Sequence, residues 1–337
     1  MSDHSWPWPA GAATGIGSMP GTDIAESLRV ILGELPDFPH LPELPARGPG
    51  AELIGRSAGL LVDLPVELYA ARWRLAAHPG KDLRRTRDLL ERDLDELTAQ
   101  AAGYAGPVKV QAAGPWTLAA TVELSTGGPV LRDHGAVRDL AESLSEGLRG
   151  HIAEVGARLP RAAVVLQVDE PALPAVLAGR VPTESGFGTL RAVDERAATD
   201  SLRGIVEAVG VPVVAHCCAP DAPVAALRAA GVAALALDLA QVADLDPLGE
   251  AIDAGIGLLA GAAPTEPGTA GRAPSSAEVA DRVRDLWRRL GFPVARIPEQ
   301  VAVAPACGLA GAPPDYARAV LAACRDAGRR LLDDAHT

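Results

Sequence analysis

Residues 211–238 read VPVVAHCCAPDAPVAALRAAGVAALALD, and they contain the pattern that decides the fold. Two short apolar runs, Val211–Ala215 and Ala233–Leu237, flank a stretch at 222–230 whose apolar residues have helical spacing. Strands that are apolar throughout, rather than at alternate positions, are typical of a parallel sheet covered by helices on both faces. The segment therefore predicts one strand–helix–strand unit.

The same unit recurs in both directions along the chain. Four more apolar runs occur between helical stretches, at Pro107–Ala113, Ala163–Val168, Ile256–Ala260 and Val301–Ala304. In the N-terminal third, Ala13–Gly17 and Gly59–Asp63 are two further strand candidates, which brings the total to eight. Eight strands alternating with helices favour an α/β fold of the (β/α)8 TIM-barrel type over an open sheet. The helical stretches lie at about 22–34 and at 81–102, 136–158, 196–209, 222–230, 247–254, 276–290 and 314–332.

We expect one barrel domain over residues 1–337, with an N-terminal loop and helical excursions. Two segments rich in Pro or Gly, 35–55 and 262–275, are expected to be mobile loops, although the first also fits an ordered loop across the barrel mouth. Ser275 and Glu278 have the spacing of a capping box, which predicts a helix start after the second loop.

Charge and composition exclude several classes of protein. The chain has 31 Lys and Arg against 43 Asp and Glu, a net charge of −12, and only 3% aromatic residues. A general nucleic-acid binder needs basic side chains to neutralise phosphates, so we expect no nucleic-acid partner. Residues 1–9 lack the pattern of a secretory signal, and no run of 18 apolar residues predicts a membrane span. Four cysteines, two of them adjacent, do not form a disulfide framework, and we expect a cytoplasmic protein.

Metal-ligating side chains occur at the ends of two predicted strands. His216 and Cys218 follow the fifth strand and, at i and i+2, share one face, whereas Cys217 points away. Cys307 follows the eighth strand. Thiolate and imidazole ligands suit Zn²⁺, so these three residues predict a zinc site at the barrel mouth. The alternative is that the cysteines are small buried apolar residues, and this is the interpretation that we favour for Cys324 in the last helix.

Carboxylates lie at other predicted strand ends. Asp238, after the sixth strand, is a candidate fourth metal ligand or a hydrogen-bond partner of His216, and Glu266 is the competing carboxylate. Asp169 and Glu170, after the fourth strand, suit recognition of an ammonium group or proton transfer, and both are candidate catalytic residues. Their alternative role is at a helix N-terminus, where acidic groups are stabilised by the helix dipole.

Two further segments are candidates for substrate binding. Ile16, Gly17 and Ser18 follow the first predicted strand, and a glycine there lets backbone amides approach a carboxylate. Trp116 lies in the segment after the third strand and could form a wall of the site.

Taken together, these motifs resemble the C-terminal catalytic barrel of cobalamin-independent methionine synthase, within the superfamily that also contains uroporphyrinogen decarboxylase. They occur in the family's order and extend over nearly the whole chain. The matching motifs are IGS at 16–18, GPWTL at 114–118, QVDEPAL at 167–173, HCC at 216–218 and CGL at 307–309.

The resemblance implies a function and assigns roles. It implies that His216, Cys218 and Cys307 bind zinc, and that Ile16, Ser18 and Asp169 hold the amino-acid end of homocysteine. The implied activity is zinc-dependent transfer of a methyl group to the homocysteine thiol, which forms methionine. The implied partners are homocysteine, or a similar small thiol, and a methyl donor.

Departures from the family pattern leave alternatives open. The family has a glutamate as its remaining zinc ligand after strand six, where this chain has Asp238. The family also has a histidine after strand seven, where this chain has Ala263–Pro264–Thr265–Glu266. The second departure favours a methylated corrinoid over methyltetrahydrofolate as donor. Alkylation of another thiol such as coenzyme M, and a catalytically inactive barrel that acts as a binding module, are the alternative functions.

Overall fold

The computed structural model describes residues 6–335. Residues 1–5 and 336–337 lie outside the described residues. They are part of the expected domain, and residues 1–5 are also part of the N-terminal segment considered for a targeting signal. Within residues 6–335, no helix is both long enough and apolar enough to cross a membrane.

Helices and short strands alternate over most of the described chain. The strands are β1 (Val66–Tyr69), β2 (Arg72–Leu75), β3 (Pro107–Ala113), β4 (Ala163–Asp169), β5 (Val213–Cys217), β6 (Ala234–Asp238), β7 (Gly257–Ala263) and β8 (Val301–Pro305). The helices are α1 (Ile24–Glu34), α2 (Leu53–Ala58), α3 (Lys81–Gln100), α4 (Pro115–Thr121), α5 (His134–Arg158), α6 (Leu173–Leu177), α7 (Glu195–Val209), α8 (Val224–Ala229), α9 (Asp246–Asp253), α10 (Ser276–Leu290), α11 (Ile297–Gln300) and α12 (Pro314–Ala335).

A curled, six-stranded parallel sheet forms the centre of the fold. Its strands are hydrogen-bonded in chain order from β3 to β8, and β1 and β2 form a separate antiparallel hairpin. Almost every residue of the six strands is buried, as their continuous apolar sequences predict. All six strands end at the same edge of the sheet, so the residues that follow them are brought together there.

Two irregular segments lie beside the edge strands of this sheet. Ala13 forms an isolated parallel bridge with Val303 of β8, and His40 forms one with Lys109 of β3. Ser18 and Glu43 form a third bridge, which connects the two segments to each other. The regular sheet therefore has six strands, and the predicted first strand, Ala13–Gly17, pairs with β8 through a single bridge.

The prediction of a second strand at Gly59–Asp63 is wrong. This run follows α2 and consists of turns and bends, and Asp63 has a positive φ of 57°. Leu61 is apolar because it is buried in the core, and the Leu60 carbonyl lies against Gly147 of α5, where a Cβ would overlap with it. A short apolar run cannot be assigned to a strand by its composition alone.

The helix predictions agree closely with the structure. The helix at 276–290 is α10 with the predicted bounds, and Ser275 and Glu278 form the predicted capping box. The segment after α1 packs against the sheet, with Phe38, Leu41 and Leu44 fully buried, which agrees with an ordered loop. The mobility expected for 35–55 and 262–275 stays a prediction.

Candidate metal centre and amino-acid site

His216, Cys218 and Cys307 meet at the carboxyl edge of the sheet. Their ligand atoms all lie within 4.8 Å of one another. The Sγ atoms of Cys218 and Cys307 are 3.1 Å apart, and Cys307 Sγ is 3.8 Å from His216 Nε2. Around a tetrahedral zinc ion, two sulfur ligands are about 3.8 Å apart and a sulfur and a nitrogen about 3.6 Å. The three side chains therefore fit one zinc ion with small adjustments.

The orientation of His216 suits metal binding. The residue lies near the end of β5, is buried, and its Nδ1 is 3.0 Å from the carbonyl oxygen of Ala236 on β6. A carbonyl can only accept, so Nδ1 carries the proton and Nε2, which faces the two cysteines, is left as the donor to a metal.

The two thiols of the cluster share a proton unequally. The hydrogen bond with Cys218 and the nearby imidazole lower the pKa of Cys307 to about 4, whereas the same hydrogen bond and burial raise the pKa of Cys218. Burial by itself lowers the pKa of His216, but the hydrogen bond with Cys307 and the charge of Asp169 raise it above its ordinary value. The cluster thus already stabilises a thiolate, which is the form that binds metal.

The other two cysteines lie outside the cluster, as predicted. Cys217 is the last residue of β5, and its side chain is buried on the opposite face. Burial raises the pKa of the Cys217 thiol to about 12, so it stays protonated. Cys324 is fully buried in α12.

The segment Gly15–Ser18 lies next to the cluster and carries unused hydrogen-bond donors. In the described chain, the backbone N–H groups of Gly15, Ile16, Gly17 and Ser18 have no acceptor, whereas those of Thr14 and Met19 on either side are paired. Gly15, Ile16 and Gly17 are buried. Buried N–H groups without a partner are rare in proteins, and a row of them suits a carboxylate.

Asp169 links this segment to the metal cluster. It ends β4, pairs in register with His216 of β5, and is 5% exposed. Its Oδ1 accepts a hydrogen bond from Gln167 Nε2 at 2.7 Å. Burial raises the pKa of Asp169 to about 6, although the positive charges of His216 and Lys109 oppose the shift. A buried carboxylate at this position can accept hydrogen bonds from an ammonium group.

A second buried carboxylate, Glu43, was missed by the sequence analysis. It is 4% exposed and accepts a long hydrogen bond, 3.3 Å, from Gln111 Nε2. Burial raises the pKa of Glu43 to about 7, and the charge of Asp169 adds to the shift while Arg56 opposes it. The Pro-rich sequence around Glu43 contains no periodic signal. The sequence did contain a signal for three other residues that were missed, because a polar side chain interrupts an apolar strand at Lys109, Gln111 and Gln167.

A family model decides the relationship that these motifs suggest. The model of the catalytic domain of cobalamin-independent synthases matches residues 11–330, nearly the whole chain. The chain belongs to this family. It is therefore a transferase of the methionine synthase type, a methyltransferase of methionine biosynthesis.

Comparison with solved structures gives a similar fold. A B12-independent methionine synthase from Shewanella sp. W3-18-1, in complex with selenomethionine, matches with a TM-score of 0.63 at 14% identity, over 96% of this chain and 98% of that chain. At this identity the match shows a common fold. A putative dihydrodipicolinate synthetase from Pseudomonas aeruginosa matches at a TM-score of 0.38 and 12% identity, over 96% and 83% of the two chains, too low a score to support an argument. No curated protein sequence matches the chain.

Two predicted residues of this cobalamin-independent synthase domain do not face the cluster. Glu170 is fully buried, and its carboxylate accepts from the N–H groups of Trp116 (3.0 Å) and Thr117 (2.7 Å) and from the Thr117 hydroxyl (2.7 Å). It therefore binds the N-terminus of α4, although burial raises its pKa to about 7. The Trp116 indole donates to the Ala198 carbonyl of α7 at 3.1 Å and is 4% exposed. Their catalytic and substrate-binding roles stay predictions.

The candidates for a fourth ligand also lie apart from the three ligand residues. Asp238 ends β6, and its Oδ1 accepts from the Ala240 N–H at 2.9 Å. In residues 6–335, the group of ligand atoms within 4.8 Å of one another includes neither Asp238 nor Glu266. Both residues line a cleft beside α10. Ligation by Asp238 stays a prediction.

Proposed function

We propose that this chain is a zinc-dependent S-methyltransferase that transfers a methyl group to the thiol of homocysteine and forms methionine. The observation that carries the proposal is the proximity of three chemical features: a His-Cys-Cys cluster, a row of unpaired backbone N–H groups, and two buried carboxylates. Homocysteine carries the three complementary groups, a thiol, a carboxylate and an ammonium.

Zinc is the metal that the donor set favours. Two sulfur atoms and one imidazole nitrogen are ligands that zinc prefers, and three protein ligands are the number typical of catalytic zinc sites with an open position. When bound, the ion supplies Lewis-acid chemistry that removes the proton of a substrate thiol at neutral pH. His216, Cys218 and Cys307 would hold it, and Asp238 is the candidate for a further oxygen contact.

The amino-acid end of the substrate is held by the chain's own groups. The backbone N–H groups of Ile16, Gly17 and Ser18 would donate to its carboxylate, and Asp169 and Glu43 would accept from its ammonium. Because Asp169 pairs in register with His216, a substrate held this way presents its sulfur to the metal ligands. Fixing both ends of a small substrate aligns the sulfur for attack on a methyl carbon.

We further propose that the fold is one (β/α)8 barrel over the whole chain. The two irregular segments that pair with β8 and β3 would take the places of its first two strands. The sheet, the site and the acidic composition are compatible with the predicted cytoplasmic location.

A methylated corrinoid is the methyl donor that we favour over methyltetrahydrofolate. The support is that β7 ends at Ala263 and is followed by Pro264, Thr265 and Glu266, where the family places a histidine that assists transfer from the folate. Coenzyme M as acceptor lacks similar support, because a thiol without an ammonium group would give the buried Asp169 and Glu43 no substrate group to bind.

The test combines metal analysis with product formation. Zinc-loaded and metal-free protein are incubated with homocysteine and, in parallel, with methylcobalamin or methyltetrahydrofolate, and methionine is measured by mass spectrometry. We expect methionine only from the zinc-loaded protein, and with the corrinoid. Failure to retain zinc, or no methionine from either donor, would overturn the proposal, and product from the folate would overturn the choice of donor.

A further inference from the structure

Two buried side chains from neighbouring strands bond to one backbone carbonyl of the substrate segment. Lys109 Nζ of β3 donates to the Ile16 oxygen at 2.8 Å, and Gln167 Nε2 of β4 donates to the same oxygen at 2.9 Å. Both side chains are fully buried. Gln167 Nε2 also donates to Asp169, so this one amide connects both parts of the proposed amino-acid site.

These bonds determine the direction of a neighbouring N–H group. The peptide between Ile16 and Gly17 is planar and trans, so its carbonyl and its N–H point in opposite directions. Lys109 lies four residues and Gln167 two residues before the carboxyl ends of their strands, so both draw the carbonyl into the interior of the sheet. The Gly17 N–H must then point towards the edge where the metal ligands lie.

Contacts on either side of this peptide restrict the segment further. A Cβ at Gly15 would overlap with the imidazole ring of the buried His40. A Cβ at Gly17 would come within 3.0 Å of the Gln111 side chain. The segment is therefore enclosed by side chains, and the two donors to the Ile16 carbonyl select one orientation of its peptide plane.

We propose that Lys109 and Gln167 are positioning residues for the α-carboxylate of the thiol substrate. By holding the Ile16 carbonyl in the interior, they aim the Gly17 N–H at the substrate carboxylate and thereby determine selectivity for amino-acid thiols over simple aminothiols. The inference rests on the proposed function, because it assumes that the acceptor thiol carries a carboxylate.

The experiment compares two thiols that differ in the carboxylate. Binding of homocysteine and of 3-aminopropane-1-thiol to the zinc-loaded protein is measured by calorimetry for the wild type and for Gln167→Leu and Lys109→Met. We expect both variants to bind homocysteine about tenfold more weakly, the effect of one misaligned hydrogen bond to a charged group. The Asp169 carboxylate loses the Gln167 hydrogen bond or the neighbouring Lys109 charge, and this change acts on the ammonium of both thiols alike, so the readout is the ratio of the two affinities. The preference for homocysteine over the aminothiol should fall about tenfold, while zinc content and kcat at saturating homocysteine change little and KM for homocysteine rises.

A matched control separates positioning from general loss of stability. Gln300 is also fully buried, and its Nε2 also bonds two backbone carbonyls, those of Ile252 (2.7 Å) and Ile256 (2.9 Å), away from the site. Gln300→Leu should lower the melting temperature without changing either affinity. If Gln167→Leu does not fold, Gln167→Asn is the milder variant, since its shorter amide cannot reach both partners.

Two outcomes would count against the inference. Equal weakening for both thiols would show that Lys109 and Gln167 only support the local structure. Unchanged homocysteine affinity would show that the peptide keeps its orientation without them. A wild-type protein that binds neither thiol would instead overturn the proposed function itself, so the two failures are distinguishable.

Discussion

The backbone N–H of Leu309 donates to the carbonyl oxygen of Ser18 at 2.7 Å. This bond joins the predicted carboxylate-binding segment directly to the turn that carries Cys307. Gly308, between Cys307 and Leu309 in the chain, packs so closely against Ser18 that a Cβ at this glycine would overlap with the Ser18 hydroxyl. The metal ligand and the amino-acid site are therefore held at a fixed separation by one short contact.

Substitution of Gly308→Ala should disturb both parts of the site. The added methyl group must displace Ser18 or the Cys307 turn, so we expect KM for homocysteine to rise by about tenfold or more, consistent with small displacements in a positioned site. Gly311→Ala is the control in the same loop, because a Cβ there meets nothing within 4 Å. Equal kinetics for the two variants would contradict the close packing.

Removal of single thiols should separate metal ligands from structural cysteines. Cys218→Ser and Cys307→Ser each remove one of three ligands and should strongly lower the zinc content measured by elemental mass spectrometry. Cys217→Ser and Cys324→Ser alter buried thiols outside the cluster and should leave the zinc content near that of the wild type. Equal zinc loss in all four variants would show that the assignment of faces on β5 is incorrect.

The sequence was most informative where one physical constraint decided the pattern. The strands from β3 to β8 are buried on both faces, so most of their residues are apolar and the runs are easily recognised. His216 and Cys218 could be placed together because alternate residues of an extended segment share a face. Their approach to Cys307 followed from the common edge at which parallel strands end.

Other features could not be predicted because they depend on contacts distant in the chain. The segment containing Glu43 lies beside β3 through one isolated bridge at His40, which no local periodicity encodes. In the run Gly59–Asp63, Leu60 packs against α5 and Leu61 is buried in the core, and the composition of the run alone could not exclude a strand. Glu170 follows Asp169 directly, yet successive residues at a strand end point in different directions. The donors that bind its carboxylate belong to α4, which is distant in the chain.

Substitution of Asp169→Asn should weaken substrate binding without removing the metal. The amide has nearly the same size but lacks the charge that faces the substrate ammonium, so we expect KM for homocysteine to rise about tenfold or more. Zinc content should stay at the wild-type level, because Asp169 is not one of the three clustered ligands. Unchanged kinetics would remove Asp169 from the substrate site.

Stability should fall in acid because of His151. Burial, with the charge of Arg56, lowers the pKa of this α5 histidine to about 4, against 6.5 for an ordinary histidine. Between these values the unfolded chain binds the proton more readily, so the free energy of unfolding decreases as pH falls from about 6.5 to about 4, by roughly 3 kcal/mol in full.

His151→Phe should reduce this pH dependence. Denaturant unfolding at several pH values gives the free energy of unfolding against pH for the wild type and for the variant, and the two curves are then compared. His134→Gln, at an exposed position on the same helix, is the control and should leave the curve unchanged. Parallel curves for wild type and His151→Phe would show that His151 does not contribute.

The environment of Glu170 predicts a loss of stability rather than of chemistry. In Glu170→Gln, the side-chain amide nitrogen must meet at least one of the donors that now bind the carboxylate, the N–H groups of Trp116 and Thr117 and the Thr117 hydroxyl. A buried donor left unpaired costs about 1–3 kcal/mol, so thermal unfolding should shift to lower temperature. Glu278→Gln, at the exposed capping box of α10, should cost less because water can replace the lost bond. If Glu170→Gln instead keeps its stability and loses kcat, the carboxylate acts on the substrate, and its role is the catalytic one that the sequence predicts.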